Sequence, residues 1–145
     1  RVYGTPEQTS GLIDLPLIAD LTAPPRNKVC FDSGKAALTY YQLLPEPGEN
    51  GKAITEHNAL LALFPVTGRA HQLRVHLQQL GHAILGDALY APTAAQAAAS
   101  RLLLHAMELE IHQPYSGEPL KFSCQPDAAA FGLLADIQLP LRPVR

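Results

Sequence analysis

Thr67-Gly68-Arg69-Ala70-His71-Gln72-Leu73-Arg74-Val75-His76-Leu77-Gln78-Gln79-Leu80-Gly81 is the stretch on which the reading of this chain turns. An apolar run, Leu60 to Val66 (LLALFPV), leads into it, and a Thr-Gly turn opens it. At about 100° per residue, Ala70, Leu73, Leu77 and Leu80 fall on one stripe, the spacing of an amphipathic helix with Gly81 as its C-terminal cap. Arg74 borders that stripe, beside Ala70 and Leu77 and one turn from His71 and Gln78. An arginine so placed is held by packed neighbours. It is always charged and presents a planar fork of donors that fits a carboxylate or a phosphate. The plain alternative is a snorkelling surface residue, and the helix by itself does not choose between the two. Arg69 stands at the helix start, where free backbone amides favour an anion.

With 145 residues, 47% apolar and 17% charged, the composition is that of one globular domain and excludes a disordered chain. No apolar run approaches the roughly 20 residues of a membrane span, and the opening RVYGTPEQTSG carries no apolar signal region. A cytoplasmic protein with no membrane partner is expected. Because the sequence lacks an initiator Met, a piece of something longer is expected too. Cys30 and Cys124 are far apart and in no CxxC pair, which predicts two reduced structural thiols, with a single disulfide as the alternative. A net charge of -2 and a pI near 6.3 do not announce a nucleic-acid binder, so any RNA contact must come from a local basic patch.

Outward from the helix, strands dominate. Leu12 to Ile18, with Pro16 at its centre, reads as an edge strand or extended arm. Thr22 to Lys28 is a proline-rich loop, Val29 to Phe31 a brief strand, and Asp32 to Lys35 a turn. Ala37 to Leu44 and His57 to Val66 read as strands that pair antiparallel across Pro45 to Lys52, where Asn50-Gly51 is the turn signal. Thr93 to Ser100 is an alanine-rich helix or loop. Arg101 to Ile111 alternates from Met107 onward, as a half-buried strand does. A turn at His112 to Pro119 leads to a strand at Leu120 to Cys124, and Ala128 to Ile137 forms a short helix. The class is therefore α+β, a mainly antiparallel mixed sheet with a central amphipathic helix, in one domain over residues 1-145.

The order of motifs resembles the RluA-type pseudouridine synthases. The resemblance rests on Gly11 to Leu17 (GLIDLPL); Gly34-Lys35-Ala36 with Thr39 and Tyr41; Thr67 to His76 (TGRAHQLRVH); Gly81-His82 with Ile84, Gly86-Asp87 and Tyr90; and Leu102 to Ala106 (LLLHA). Any one piece is weak; the set is specific and covers nearly the whole chain. The opening RVYG and the Lys28-Val29-Cys30 segment look most like the member that modifies both large-subunit ribosomal RNA and transfer RNA. The resemblance implies isomerisation of uridine in RNA to pseudouridine, with no metal and no cofactor. The target nucleotide is flipped out, and an aspartate acts as nucleophile or covalent partner. The base detaches from the sugar, turns, and is rejoined through carbon. The second arginine of the motif, which falls on Arg74, pairs with that aspartate. An adjacent guanidinium favours the ionised carboxylate and fixes its direction.

The sequence departs from the family pattern at one decisive place. The family's aspartate lies in a motif like HRLDxxTSG and its active-site tyrosine in a YxA strand, and neither is present. Asp14, Asp20, Asp32, Asp87, Asp127 and Asp136 all lie outside the nucleophile motif. Asp87, in its Gly-Asp turn, reads as a loop or capping residue. The expectation is thus the C-terminal portion of a catalytic domain, inactive alone, whose partners are RNA and the missing N-terminal half of the same domain.

Arg74 is the expected catalytic residue, orienting the missing aspartate. Arg69, Arg101, His71, Gln72, Leu103 and His105 are the expected substrate or RNA contacts. For His71 and Gln72 the alternatives are support of the arginine or a structural role, and for Leu103 a place in the core. Among Arg26, Lys28, Arg69, Arg101 and Lys121, solvated charge is the default. His71 and His76 are five residues apart, not the four that put two metal ligands on one helix face, so no metal is expected. A non-catalytic RNA-binding module is the rival function, and a structural fragment that self-associates through open sheet edges is the third.

Overall fold

A computed structural model of the chain describes residues 1–45, 57–133 and 135–142. In chain order the elements are β1 (Val2–Tyr3), β2 (Ser10–Asp14), β3 (Leu17–Ala19), β4 (Asn27–Val29), β5 (Leu38–Leu44) and β6 (Asn58–Pro65), then α1 (Gln72–Gln79) and α2 (Thr93–Ala97), and finally β7 (Glu108–His112), β8 (Pro119–Ser123) and α3 (Ala128–Phe131). Four strands form the main sheet in the order β1-β6-β5-β2. Its spine is the antiparallel pair β5–β6, in register from Thr39 opposite Pro65 to Leu44 opposite Leu60. Every named strand pair is antiparallel, so the expected mixed sheet contains no parallel pair among the described residues. The turn predicted at Asn50-Gly51 lies outside the described residues.

Pro16 divides what the sequence shows as one arm. β2 ends at Asp14 and pairs with β5, whereas β3 begins at Leu17 and pairs with β4 in a separate two-stranded sheet. Proline has no N–H to give to a ladder, but its carbonyl stays useful and accepts from the Cys30 amide at 3.0 Å. The brief strand predicted at Val29 to Phe31 sits slightly earlier, at Asn27–Val29.

Alternation along the central pair sends side chains to two cores. Ile13, Tyr41, Ala59, Leu77 and Ile84 cluster with Leu61 and Leu63 packed on them, beneath α1. Leu44, Leu60, Ala62, Leu85, Leu103 and Phe131 form the second cluster. Full burial of one such leucine contributes about 1.5–3 kcal/mol.

The face that α1 buries differs from the predicted stripe. Gln72, Val75, His76 and Leu77 are buried, Leu73 and Leu80 only partly, and Ala70 is exposed before the helix begins. The helix is rotated from its apolar stripe because two polar residues, one turn apart at 72 and 76, find partners on β5. Its C-terminus is as predicted. Gly81, at φ +90°, donates to the Gln78 carbonyl, and His82 donates to that of Leu77, the two bonds of a Schellman cap.

Residues 101–107 are not in a strand, and β7 is exposed along its whole length, not half-buried as its alternation predicts. The reason is topological. Among the described residues β7 pairs with β8 alone, Leu109 opposite Phe122 and Ile111 opposite Leu120, in a two-stranded sheet of its own.

Candidate active site around Arg74

The turn before α1 is fixed by a closed set of hydrogen bonds. The Leu38 amide donates to Thr67 Oγ1 at 2.9 Å, and that hydroxyl donates to Gln72 Oε1 at 2.8 Å. Gln72 Oε1 also accepts from the Arg69 amide at 3.0 Å, while its Nε2 donates to the Leu38 carbonyl and to Thr39 Oγ1. Thr39 Oγ1 lies 2.9 Å from His76 Nδ1, and His76 Nε2 lies 3.1 Å from the Leu15 carbonyl. A carbonyl only accepts, so Nε2 carries the proton and Nδ1 accepts from Thr39. Burial pushes the His76 pKa down, which keeps this neutral tautomer. Gln72 is 4% exposed and all four of its hydrogen-bonding positions are used. It supports the backbone of Arg69.

Arg74 leaves α1 on the side away from this network and meets Asp87. Its Nε donates to Asp87 Oδ2 at 2.8 Å and its Nη2 to Asp87 Oδ1 at 2.6 Å, a side-on bidentate pair. The guanidinium also lies over the Tyr90 ring, 4.9 Å from its centre. The Arg74 side chain keeps 16% of its surface exposed and that of Asp87 1%. Burial alone would raise the Asp87 pKa. The Arg74 guanidinium and the amides of Leu89 and Tyr90 outweigh it and hold the carboxyl below its usual range. Asp87 in turn raises the Arg74 pKa. Among the described residues Nη1 has no hydrogen-bond acceptor, and no buried side-chain nitrogen lacks a partner, so the Nη1 edge meets solvent.

Asp87 is therefore more than the capping residue its turn predicts. Its Oδ1 does accept from Leu89 N at 2.9 Å and Tyr90 N at 3.1 Å. The same carboxylate is also the partner of Arg74, which sequence reading missed. The turn that carries it needs glycine. Gly86 has φ +71°, and a Cβ there would stand 1.9 Å from the Arg101 carbonyl oxygen.

His71 completes this side of the site. It adopts φ 55°, a left-handed conformation that costs a non-glycine residue about 1 kcal/mol or more. A 2.7 Å hydrogen bond between its Nδ1 and Tyr90 Oη holds it, with the rings edge to face. Burial and the nearby Arg74 charge both lower its pKa. Tyr90 Oη also accepts from the Asn27 amide at 2.8 Å, tying β4 to the site.

The remaining expected contacts lie elsewhere. Arg69 turns its Nε to the Ala36 carbonyl at 3.1 Å and is exposed. Leu103 is in the second core. His105 Nε2 meets the Cys124 carbonyl at 2.8 Å, and its ring stands edge-on to Phe131, over which Arg101 also lies. Leu103 and His105 line a groove of about 380 Å³ that runs along Leu60 to Pro65 of β6 and under Leu73 and Leu77 of α1. No group of three or more His, Cys, Asp or Glu side chains is placed to hold a metal ion among the described residues. Both cysteines are free, Cys124 exposed and Cys30 half-buried. No helix there is long and apolar enough to cross a membrane.

The profile of the RNA pseudouridylate synthase family matches residues 1–79, and the chain belongs to that family. Within it the chain is RluA-type. It is 46% identical over 125 residues to the dual-specificity RNA pseudouridine synthase RluA of Yersinia pestis, covering 86% of this chain and 57% of that protein. The Escherichia coli K12 protein of the same name is 46% identical over 127 residues, covering 88% and 55%. The chain thus spans about half the length of the curated relatives it matches. In fold it matches human RNA pseudouridylate synthase domain containing 1 with a TM-score of 0.73 at 24% identity, over 97% of this chain and 59% of that one.

Proposed function

We propose that this chain supplies the arginine half of the active site of a cytoplasmic pseudouridine synthase acting on ribosomal RNA, transfer RNA or both. In this reading residues 1-145 are the C-terminal portion of a catalytic domain. The carrying observation is Arg74. Its Nε and Nη2 face is taken by Asp87, and its Nη1 edge reaches solvent on a side chain that is mostly buried. A guanidinium held in this way offers a second carboxylate a fixed direction, with the side-chain entropy already lost on folding.

That second carboxylate is the nucleophilic aspartate, carried by the missing N-terminal half. Arg74 keeps it ionised and aimed at the flipped nucleotide, the base detaches, turns and is rejoined through carbon, and no cofactor takes part. Arg69 and Arg101, both exposed, contribute phosphate contacts, His71 and His105 border the bound RNA, and Leu103 backs the base pocket. Support for a missing partner segment comes from β6. Its outer edge is paired with β1 only at Asn58 and Ala59 among the described residues, and the apolar groove follows the rest. Such an edge is where a further strand adds.

The test is a chimaera in which this chain replaces the matching segment of the Yersinia pestis relative, assayed for pseudouridine formation on ribosomal and transfer RNA. We expect turnover by the chimaera and none by the chain alone. In the chimaera Arg74→Ala removes most turnover while RNA affinity falls less, and Arg69→Ala weakens binding more than chemistry. Turnover by the isolated chain would mean that the nucleophile lies within it.

A further inference from the structure

We infer that Asp87 is a positioning residue, which sets the direction of Arg74 through the side-on pair and leaves the Nη1 edge as the working face. The inference rests on the role proposed for Arg74. Its basis is the division of labour within one buried carboxylate. Oδ1 accepts from the Leu89 and Tyr90 amides and from Arg74 Nη2, whereas among the described residues Oδ2 is bound by Arg74 Nε alone. Two backbone amides fix the carboxylate in the turn, and the carboxylate fixes the guanidinium. The Tyr90 ring beneath the guanidinium limits its remaining freedom, and His71 holds the Tyr90 hydroxyl by a hydrogen bond. Arginine directed by this chain of contacts no longer samples rotamers in search of the nucleophile's carboxylate.

Charge adds a second consequence. Arg74 and Asp87 together are neutral, and the other titratable groups facing them are His71, held in its neutral form, and Tyr90. A nucleophilic carboxylate at the Nη1 edge therefore meets donors in a fixed geometry without a full uncompensated positive charge. It is oriented without being made an inert anion. Arg74 without Asp87 would still be a cation, but a misdirected one that grips the second carboxylate too strongly.

Asp87→Asn separates these functions. Asparagine keeps Oδ1 for the two amides and puts an NH₂ donor where Nε needs an acceptor. In the active chimaera we expect Asp87→Asn to lower kcat about 10–100-fold, the usual effect of losing a supporting partner, with KM for RNA little changed. The acid limb of its pH–rate profile moves to lower pH, because the unpaired Arg74 charge favours the ionised nucleophile. A loss of fold alone would change the amount of active enzyme without moving that limb. Should Asp87→Asn fail to fold, Asp87→Glu keeps the charge but displaces it by one methylene, and the same fall in kcat is expected. Wild-type kcat and an unmoved acid limb, in a background where Arg74→Ala is inactive, overturn this inference alone. Full activity of Arg74→Ala overturns the role of Arg74, and the inference with it.

Discussion

Around the start of α1, Thr39, Gln72 and His76 are buried, while on β7–β8 Leu109, Ile111, Leu120 and Phe122 face solvent. The first region hides polar groups in the interior; the second leaves apolar ones in water. Hidden polar groups are costly unless each finds a partner. Here each does, so the network excludes alternative registers of the Thr67–Arg74 turn in a way that leucines in the same volume would not. The hairpin has the opposite character. Its cross-strand pairs hold two strands together, and a pair of strands by itself is marginal. The contrast separates a part of the molecule that is finished from a part that presents a surface.

The strongest way to break the contrast is Gln72→Leu. The substitution keeps side-chain volume but removes two acceptor and two donor bonds. The Arg69 amide is left without its acceptor, and the Thr39 and Thr67 hydroxyls each lose a partner. We expect a loss of about 3 kcal/mol, the range for orphaning buried polar groups, read as a lower urea midpoint at unchanged slope. If stability were unchanged, the network would be incidental, and the helix would be held by Val75 and Leu77 alone.

A finer test uses protons. The folded chain keeps His76 neutral, its pKa pushed below 6.5 by burial. The unfolded chain takes up a proton near pH 6.5, so the unfolded state binds more protons as pH falls. Stability is therefore full above that value and declines as pH drops from about 6.5 toward the folded pKa, with a slope of at most about 1.4 kcal/mol per pH unit for one group. His71 shifts in the same direction, and Asp14 opposes the effect at His76. Comparing wild type with His76→Gln over this window isolates the His76 share. Parallel stability curves for the two proteins would show that His76 takes up its proton equally in the folded and the unfolded chain.

What sequence reading recovers and what it misses follow the same division. The β5–β6 pair and the helix cap at Gly81 are local, written in alternation and in a glycine, whereas Pro16 was read inside one arm that the structure divides between two sheets. Arg74 stands out for the same reason as the pair and the cap, as one of two arginines inside a motif. The face that α1 buries was not legible, because periodicity counts Gln72 and His76 as solvent-facing and cannot know that Thr39 and the Leu38 backbone lie opposite. Asp87 was visible as a turn residue. Its pairing with Arg74, thirteen positions earlier, depends on how the Gly86 turn packs against the Arg101 carbonyl, which is a tertiary fact. On β7 the error runs the other way. Alternation of Leu109 and Ile111 with Glu108 and Glu110 reads as one buried face, and burial requires a covering layer that the described residues do not provide.

The smallest expected effect is on that hairpin. Leu109→Ser with Phe122→Ser removes one cross-strand pair whose members are 54% and 53% exposed. Such a pair contributes about 0.2–1 kcal/mol, and the lost area was mostly wet already, so global stability should change by about 0.5 kcal/mol. Self-association should respond more. An exposed apolar face beside open strand edges favours contact between copies, and sedimentation at rising concentration should show the double variant staying monomeric longer than wild type. A stability loss above about 2 kcal/mol would break the comparison, because a truly uncovered face has too little buried area to lose so much. The hairpin would then belong, like the α1 network, to the finished part of the fold.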